Sequence, residues 1–201
     1  TEREALRASI RTLRGSTALR WAIIATITVG LVTPFNHYWA PYFEHHGGQL
    51  GLAGIWVLMY GSVILTSWFA RRLTIPTGSE SGLMVMALLV AGGGIFAIPL
   101  FTGLAIPLAF VMIQEAGRGL FMPLAETFVQ HRVESGYRAT YGSLQSFLGK
   151  GGFMLTSFAM WLLIGNAPTT AATIEKTWFV AGAAIVASAT LLYWFRPRST
   201  R

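Results

Sequence analysis

The chain of 201 residues contains no cysteine and no aspartate, and only 11% of its residues are charged. Without cysteine it can form no disulfide, no thiolate metal site and no cysteine nucleophile. Without aspartate it lacks one of the two carboxylate side chains on which many active sites depend. Soluble globular domains carry about 25% charged residues, so this chain has less than half the usual share.

Long apolar segments fill most of the sequence, and hydrophobic residues make up 53% of it. A bilayer-spanning helix needs about 20 predominantly apolar residues. The pattern therefore predicts an all-α membrane protein with six transmembrane helices, and a soluble core could not accommodate so many apolar segments. The predicted spans are residues 18–42, 50–70, 82–100, 104–130, 139–164 and 178–195.

The formal net charge of +7 comes mainly from arginines that lie between the predicted spans. If six spans alternate in direction, twelve arginines fall on one side and only Lys176 falls on the other. Basic loops stay cytoplasmic, which predicts a multi-pass protein of the plasma (inner) membrane with both termini inside. The arginines do not line one face, so nucleic acid is not an expected partner. The basic positions are Arg3, Arg7, Arg11, Arg14, Arg20, Arg71, Arg72, Arg132, Arg138, Arg196, Arg198 and Arg201.

Residues 1–17 form a basic segment ahead of the first span. Leu6, Ile10 and Leu13 recur there at helical spacing among arginines, which predicts a short amphipathic helix on the inner membrane face. The alternative is a solvated basic linker.

Weak internal similarity relates two halves of the chain at an offset of 89 to 90 residues. Residues 30–34 match 119–123, residues 61–67 match 151–157, and residues 90–92 match 180–182. Each unit contains three predicted spans, so the second unit must be inverted in the membrane. The chain thus divides into a three-helix repeat over 18–100 and an inverted repeat over 101–201, an architecture typical of transporters.

Two segments, 115–124 and 134–144, resemble the tenth helix, the following loop and the eleventh helix of major facilitator superfamily transporters. Residues 35–43 look like the outer end of that family's seventh helix. The resemblance implies the C-terminal six-helix half of a secondary transporter that moves a small molecule by alternating access. Its partner would be an N-terminal six-helix bundle. The loop 69–74 departs from the family, since it keeps a basic pair but lacks the usual acidic and glycine pattern.

Three ionisable residues are predicted near the middle of the bilayer. Glu115 and Arg118 lie about 17 Å and 21 Å down the fourth span, and Lys150 lies about 17 Å up the fifth. Gln114 and Gln145 add polar groups on the same spans. Ionisable groups at such depth are costly and usually functional, so Arg118 or Lys150 is expected to attract an anionic substrate group. Glu115 would be a counter-charge or a protonatable coupling group; the alternative is a structural ion pair between Glu115 and Arg118.

The end of the first span supplies further polar and aromatic candidates. The resemblance implies that this helix lines the central cavity, so Asn36 and Tyr38 are candidates to meet substrate or gate the outer side. For Trp39 and Tyr42 we expect a place in the interfacial aromatic belt.

Other classes of function find less support in the sequence. No nucleophile with a base and no helical metal-ligand pair is visible, since Glu44, His45 and His46 are adjacent rather than at i, i+4. We therefore expect no enzyme activity, no metal and no cofactor. Two alternatives stay open: a stand-alone six-helix protein that pairs with a second copy, and a non-transporting receptor or scaffold of the same fold.

Overall fold

The computed structural model describes residues 2–45, 51–76, 78–165 and 168–197. Within these ranges all regular structure is helical. The α-helices are α1 (Glu2–Gly15), α2 (Thr17–Val29), α3 (Thr33–His45), α4 (Gly51–Arg72), α5 (Glu80–Ala97), α6 (Ala105–Gln130), α7 (Arg138–Ile164) and α8 (Ala171–Trp194). Leu50, His46, Arg198 and Arg201, which entered the sequence predictions, lie outside the described residues.

Five helical segments of the described chain are long and apolar enough to cross a membrane, as expected of a membrane protein. They are Thr17–Glu44, Gly51–Arg72, Glu80–Leu100, Ala105–Gln130 and Ala171–Trp194. The first consists of α2 and α3, joined by the 3-10 turn Gly30–Val32. Helix α7 does not belong to these five, although its 27 residues give it a length of about 40 Å.

The predicted boundaries agree with these helices to within three residues, except at the start of α8. Helix α8 begins at Ala171, seven residues before the predicted start at Trp178. Its first turn is capped by Thr170, whose Oγ1 accepts a hydrogen bond from the Thr173 amide. Glu175 and Lys176 therefore lie within the helix rather than in a loop.

Helix α5 packs between α6 and α8, and glycines allow these helices to approach closely. A Cβ atom at Gly117 of α6 would lie 2.6 Å from the carbonyl oxygen of Ala87 in α5. On the other side of α5, Gly92 faces Ile185, and Gly182 of α8 faces the backbone of Phe96. A larger residue at these positions would push the helices apart.

Two further glycine contacts join parallel helices on either side of the bundle. A Cβ atom at Gly30 would lie 3.1 Å from the backbone nitrogen of Phe153 in α7. A Cβ atom at Gly119 of α6 would lie 2.7 Å from the carbonyl oxygen of Val63 in α4. The internal sequence similarity pairs position 30 with 119 and position 63 with 153, so the two contacts join corresponding positions.

Helices α2, α5 and α7 begin at the end of the bundle where α6 and α8 terminate. The Tyr141 hydroxyl donates to the Leu19 carbonyl at 3.1 Å, and the Ser81 hydroxyl donates to the Pro197 carbonyl at 3.3 Å. We call this the basic end, because it carries Arg20, Arg71, Arg72, Arg132, Arg138 and Arg196. Lys176 lies near the opposite end, in the first turns of α8.

The N-terminal segment is helical, as the spacing of Ile10 and Leu13 predicts. Both side chains are half-buried, whereas Arg7, Arg11 and Arg14 are exposed, so α1 is amphipathic.

The prediction that Tyr42 belongs to an interfacial aromatic belt is wrong. Tyr42 is fully buried, because α3 continues past Pro41 and the Tyr42 ring packs 4.6 Å from the ring of Trp178 in α8.

Candidate functional site

A chain of polar side chains crosses the middle of α6. Gln114 and Glu115 are both completely buried. The Gln114 amide nitrogen donates to Glu115 Oε1 at 2.5 Å, and Arg118 Nη2 pairs with Glu115 Oε2 at 2.8 Å. Residues three apart on an α-helix lie on the same face, which explains why Arg118 reaches Glu115. The carboxylate is thus shielded from solvent and neutralised within its own helix.

Arg118 also links α6 to α3. Its Nη1 donates to Asn36 Oδ1 at 3.1 Å across 82 residues of sequence. The Arg118 side chain remains 24% exposed, whereas that of Glu115 is 1% exposed. The guanidinium therefore has one side on Glu115, one on Asn36 and an accessible portion that could meet an anionic or carbonyl group.

Gly94 of α5 allows α5 to pack closely over the buried polar side chain of Gln114 in α6. A Cβ atom at Gly94 would lie 2.7 Å from Cβ of Gln114, so only glycine allows α5 to close over this side chain. The Gln114 amide oxygen is buried and accepts no hydrogen bond from any described residue. Since buried acceptors are normally paired, this oxygen is an unsatisfied polar group within the contact between α5 and α6.

A cavity of about 410 Å³ lies between α2, α6 and α7. Its volume falls within the ~300–1,000 Å³ of typical small-molecule pockets. Residues from one face of α7 line the cavity, and Glu126 of α6 lines it as well. The α7 residues are Gly142, Gln145, Ser146, Gly149, Lys150 and Phe153. The cavity wall therefore carries charges of both signs within an otherwise apolar bundle.

The two predicted residues on α7 have different environments. The Gln145 amide nitrogen donates to Thr26 Oγ1 at 2.8 Å, which ties α7 to α2 across the cavity. Lys150 is exposed on the cavity wall, and no described carboxylate pairs with it. Its ammonium group is thus available to a ligand in a way that the more shielded Arg118 is not.

The α6 cluster and the cavity adjoin one another. Phe121 lies one turn after Arg118 on α6 and lines the cavity. On α3, His37 follows Asn36 and places its ring 5.8 Å from the ring of Phe153, which also lines the cavity. The structure thus brings Gln114, Glu115, Arg118 and Asn36 together directly, and places Gln145 and Lys150 in the space next to them.

Tyr38 does not join this group. It is half-buried and packs against an apolar cluster near the opposite end from the arginines, together with Trp39 and Leu31. No described contact brings its hydroxyl to Arg118 or to the cavity. Its role in substrate binding stays a prediction.

Among the described residues no three side chains of histidine, cysteine, aspartate or glutamate are grouped to hold a metal ion. No family model, curated protein or solved structure matches this chain.

Sequence reasoning missed a second buried carboxylate, at the basic end. Glu80 is fully buried in the first turn of α5. Its Oε1 lies 2.7 Å from His131 Nδ1, and its Oε2 accepts a 2.7 Å hydrogen bond from the Gly78 amide and lies 3.7 Å from Arg132 Nη2. The Arg132 guanidinium also stacks 3.7 Å above the Phe128 ring. This cluster ties α5 to the end of α6, and a lone glutamate beside a Pro- and Gly-containing loop gives no sequence signal of it.

Proposed function

We propose that this chain is a six-helix half of a secondary transporter of the major facilitator type, which moves a small organic molecule across a membrane by alternating access. The observation that carries the proposal is the ion pair between the buried Glu115 and the half-buried Arg118, with Asn36 on its open side, midway along a 26-residue helix. A buried charge pair contributes little net stability and is a common feature of substrate or ion pathways in membrane helices.

The paired glycine contacts support an inverted repeat. In the internal repeat, position 30 corresponds to 119 and position 153 corresponds to 63. The contact of Gly30 with Phe153 in one unit pair is therefore equivalent to the contact of Gly119 with Val63. The first contact joins α7 to the first span, and the second joins α6 to α4. This is the relation expected of two three-helix units with opposite orientations, and it requires α7 as a sixth span.

The arrangement of arginines supports the orientation of the chain. The basic end would face the cytoplasm, with both termini inside and the protein in the plasma membrane. The cavity between α2, α6 and α7 would then be one wall of the transport path. The other wall would come from an N-terminal six-helix bundle of the same polypeptide or from a second copy of this one.

The site favours a substrate with an anionic or carbonyl group, since Arg118 and Lys150 both offer donors. Proton coupling is the role assigned to Glu115, because a buried carboxylate beside an arginine can exchange a proton when substrate takes its place on the guanidinium. No metal or organic cofactor enters this mechanism.

The direct test is a substrate screen in proteoliposomes that contain the full-length protein, with and without a pH gradient. A transported compound should lose at least about tenfold in uptake in Arg118→Ala, since hydrogen bonds to charged groups contribute ~1.5–3 kcal/mol. The matched control is Arg71→Ala, at an exposed arginine in the last turn of α4, which should transport normally. Equal uptake by Arg118→Ala and the unmodified protein would overturn the proposal.

A further inference from the structure

A groove of about 520 Å³ runs between α2 and α8 at the basic end, on the side of the bundle away from the polar cavity. Its floor consists of Trp21, Leu192 and Thr28, which are all at most 5% exposed. The Trp21 indole nitrogen donates to the Leu192 carbonyl at 3.0 Å, so the floor is fixed by a hydrogen bond between the two helices. The groove is therefore a formed feature of the α2–α8 contact.

The walls of the groove are apolar and open outward. Ile24 is 54% exposed, Leu191 is 60% exposed and Phe195 is 74% exposed. A flexible hydrocarbon chain could lie between these side chains and contact the floor.

Arg20 and Thr17 lie at the mouth of the groove. The Arg20 side chain is exposed, and its Nη2 donates to Thr17 Oγ1 at 3.2 Å, which holds the guanidinium at the mouth. None of the described carboxylates pairs with Arg20. The groove thus combines an apolar channel with an uncompensated positive charge at one end.

The length of the groove matches one leaflet of a bilayer. Eleven residues separate Thr17 from Thr28, which corresponds to about 16 Å along α2. Half of the bilayer hydrocarbon core is about 15 Å. A chain that begins at the level of Thr17, one turn before Arg20, would therefore end near the middle of the membrane.

We propose that this groove binds one acyl chain of an anionic phospholipid, with the lipid phosphate against Arg20. The charge complementarity selects the headgroup, because basic pockets between helices on the cytoplasmic side of a membrane bind anionic lipids. The apolar floor and walls select a lipid rather than a free phosphate. The site needs only that the chain lies in a membrane, so it is independent of the proposed transport activity.

The test is native mass spectrometry of the full-length protein with phosphatidylglycerol or with phosphatidylcholine of identical chains. The unmodified protein should bind phosphatidylglycerol more tightly by about fivefold, the effect of one basic residue near a lipid phosphate. Arg20→Gln should abolish this preference, whereas the control Arg71→Gln should retain it. Ser188→Phe, which places a ring in the groove, should weaken binding of both lipids.

Three results would overturn the proposal. The first is equal binding of the two lipids by the unmodified protein. The second is an equal loss of preference in Arg20→Gln and Arg71→Gln, which would indicate attraction by the whole basic end. The third is competition by glycerol phosphate as strong as that by the diacyl lipid, which would assign the mouth to a free phosphate.

Discussion

Gly119 lies against the backbone of Val63, and a Cβ atom at position 119 would come within 2.7 Å of the Val63 carbonyl oxygen and 3.0 Å of its Cα. Neither atom can move without displacing α4. Gly30 has the corresponding relationship with Phe153 on the other side of the bundle. The same residue type is thus required at two positions that are 89 residues apart in the chain.

These contacts predict which glycines tolerate a side chain. Gly119→Ala should destabilise the protein by about 1–3 kcal/mol, the usual cost of overpacking. Gly61 faces open space, so Gly61→Ala should be neutral or stabilise the protein by up to about 1 kcal/mol, since alanine is the better helix former. Thermal unfolding in detergent, followed by circular dichroism, measures both. Equal shifts for the two variants would contradict the close contact between α4 and α6.

The ion pair on α6 predicts that stability and transport can be separated. Arg118→Ala leaves the buried Glu115 carboxylate without its partner and should cost roughly 3 kcal/mol, the lower end of values for broken buried pairs. Adding Glu115→Gln removes the charge that Arg118 neutralised, so the double variant should recover most of the unfolding temperature. It should not recover transport. A double variant as unstable as Arg118→Ala would show that the two residues are not coupled.

Unlike Arg118, Lys150 should contribute to transport but not to stability, because its side chain is exposed on the cavity wall. Lys150→Gln should change the free energy of unfolding by no more than about 0.5 kcal/mol, as is typical of surface substitutions. It should raise the KM for an anionic substrate, whereas Lys176→Gln, near the end of the bundle opposite the basic end, should leave KM unchanged. The prediction fails if both variants alter uptake to the same extent.

The buried Glu80 predicts a structural role at the basic end. Glu80→Ala removes the acceptor of the Gly78 amide and the partner of His131, and hydrogen bonds to charged groups contribute ~1.5–3 kcal/mol each. We expect a clear drop in unfolding temperature. Glu134→Ala, at an exposed glutamate in the loop between α6 and α7, is the matched control and should change little. Similar results for both would place Glu80 outside the network that holds α5 to α6.

The helices could be predicted from sequence because their apolar segments are long and are separated by arginine, proline or glycine. The start of α8 could not, because Glu175 and Lys176 interrupt the apolar run although the Thr170 cap begins the helix before them. Hydropathy reports side-chain polarity, whereas the boundary is determined by backbone capping.

The site was predictable only in part, for a similar reason. Charges in the middle of apolar spans identify Glu115, Arg118 and Lys150 directly. The contact of Arg118 with Asn36 depends on how α3 packs against α6, and the burial of Glu80 depends on the fold of a short loop. Thr26 escaped notice because threonines in helices commonly bond to their own backbone, as Thr26 does to Ala22, while it also accepts from Gln145.

We propose that the chain crosses the membrane six times with its basic end in the cytoplasm, and single cysteines introduced into these 201 cysteine-free residues can test this topology. Single cysteines at four exposed positions, Thr12, Thr102, Ser135 and Thr169, can be labelled in intact cells with an impermeant maleimide. We predict that Thr102→Cys and Thr169→Cys react from outside, whereas Thr12→Cys and Ser135→Cys react only after the membrane is opened. Labelling of Ser135→Cys and Thr169→Cys from the same side would contradict the account, because α7 would then not cross.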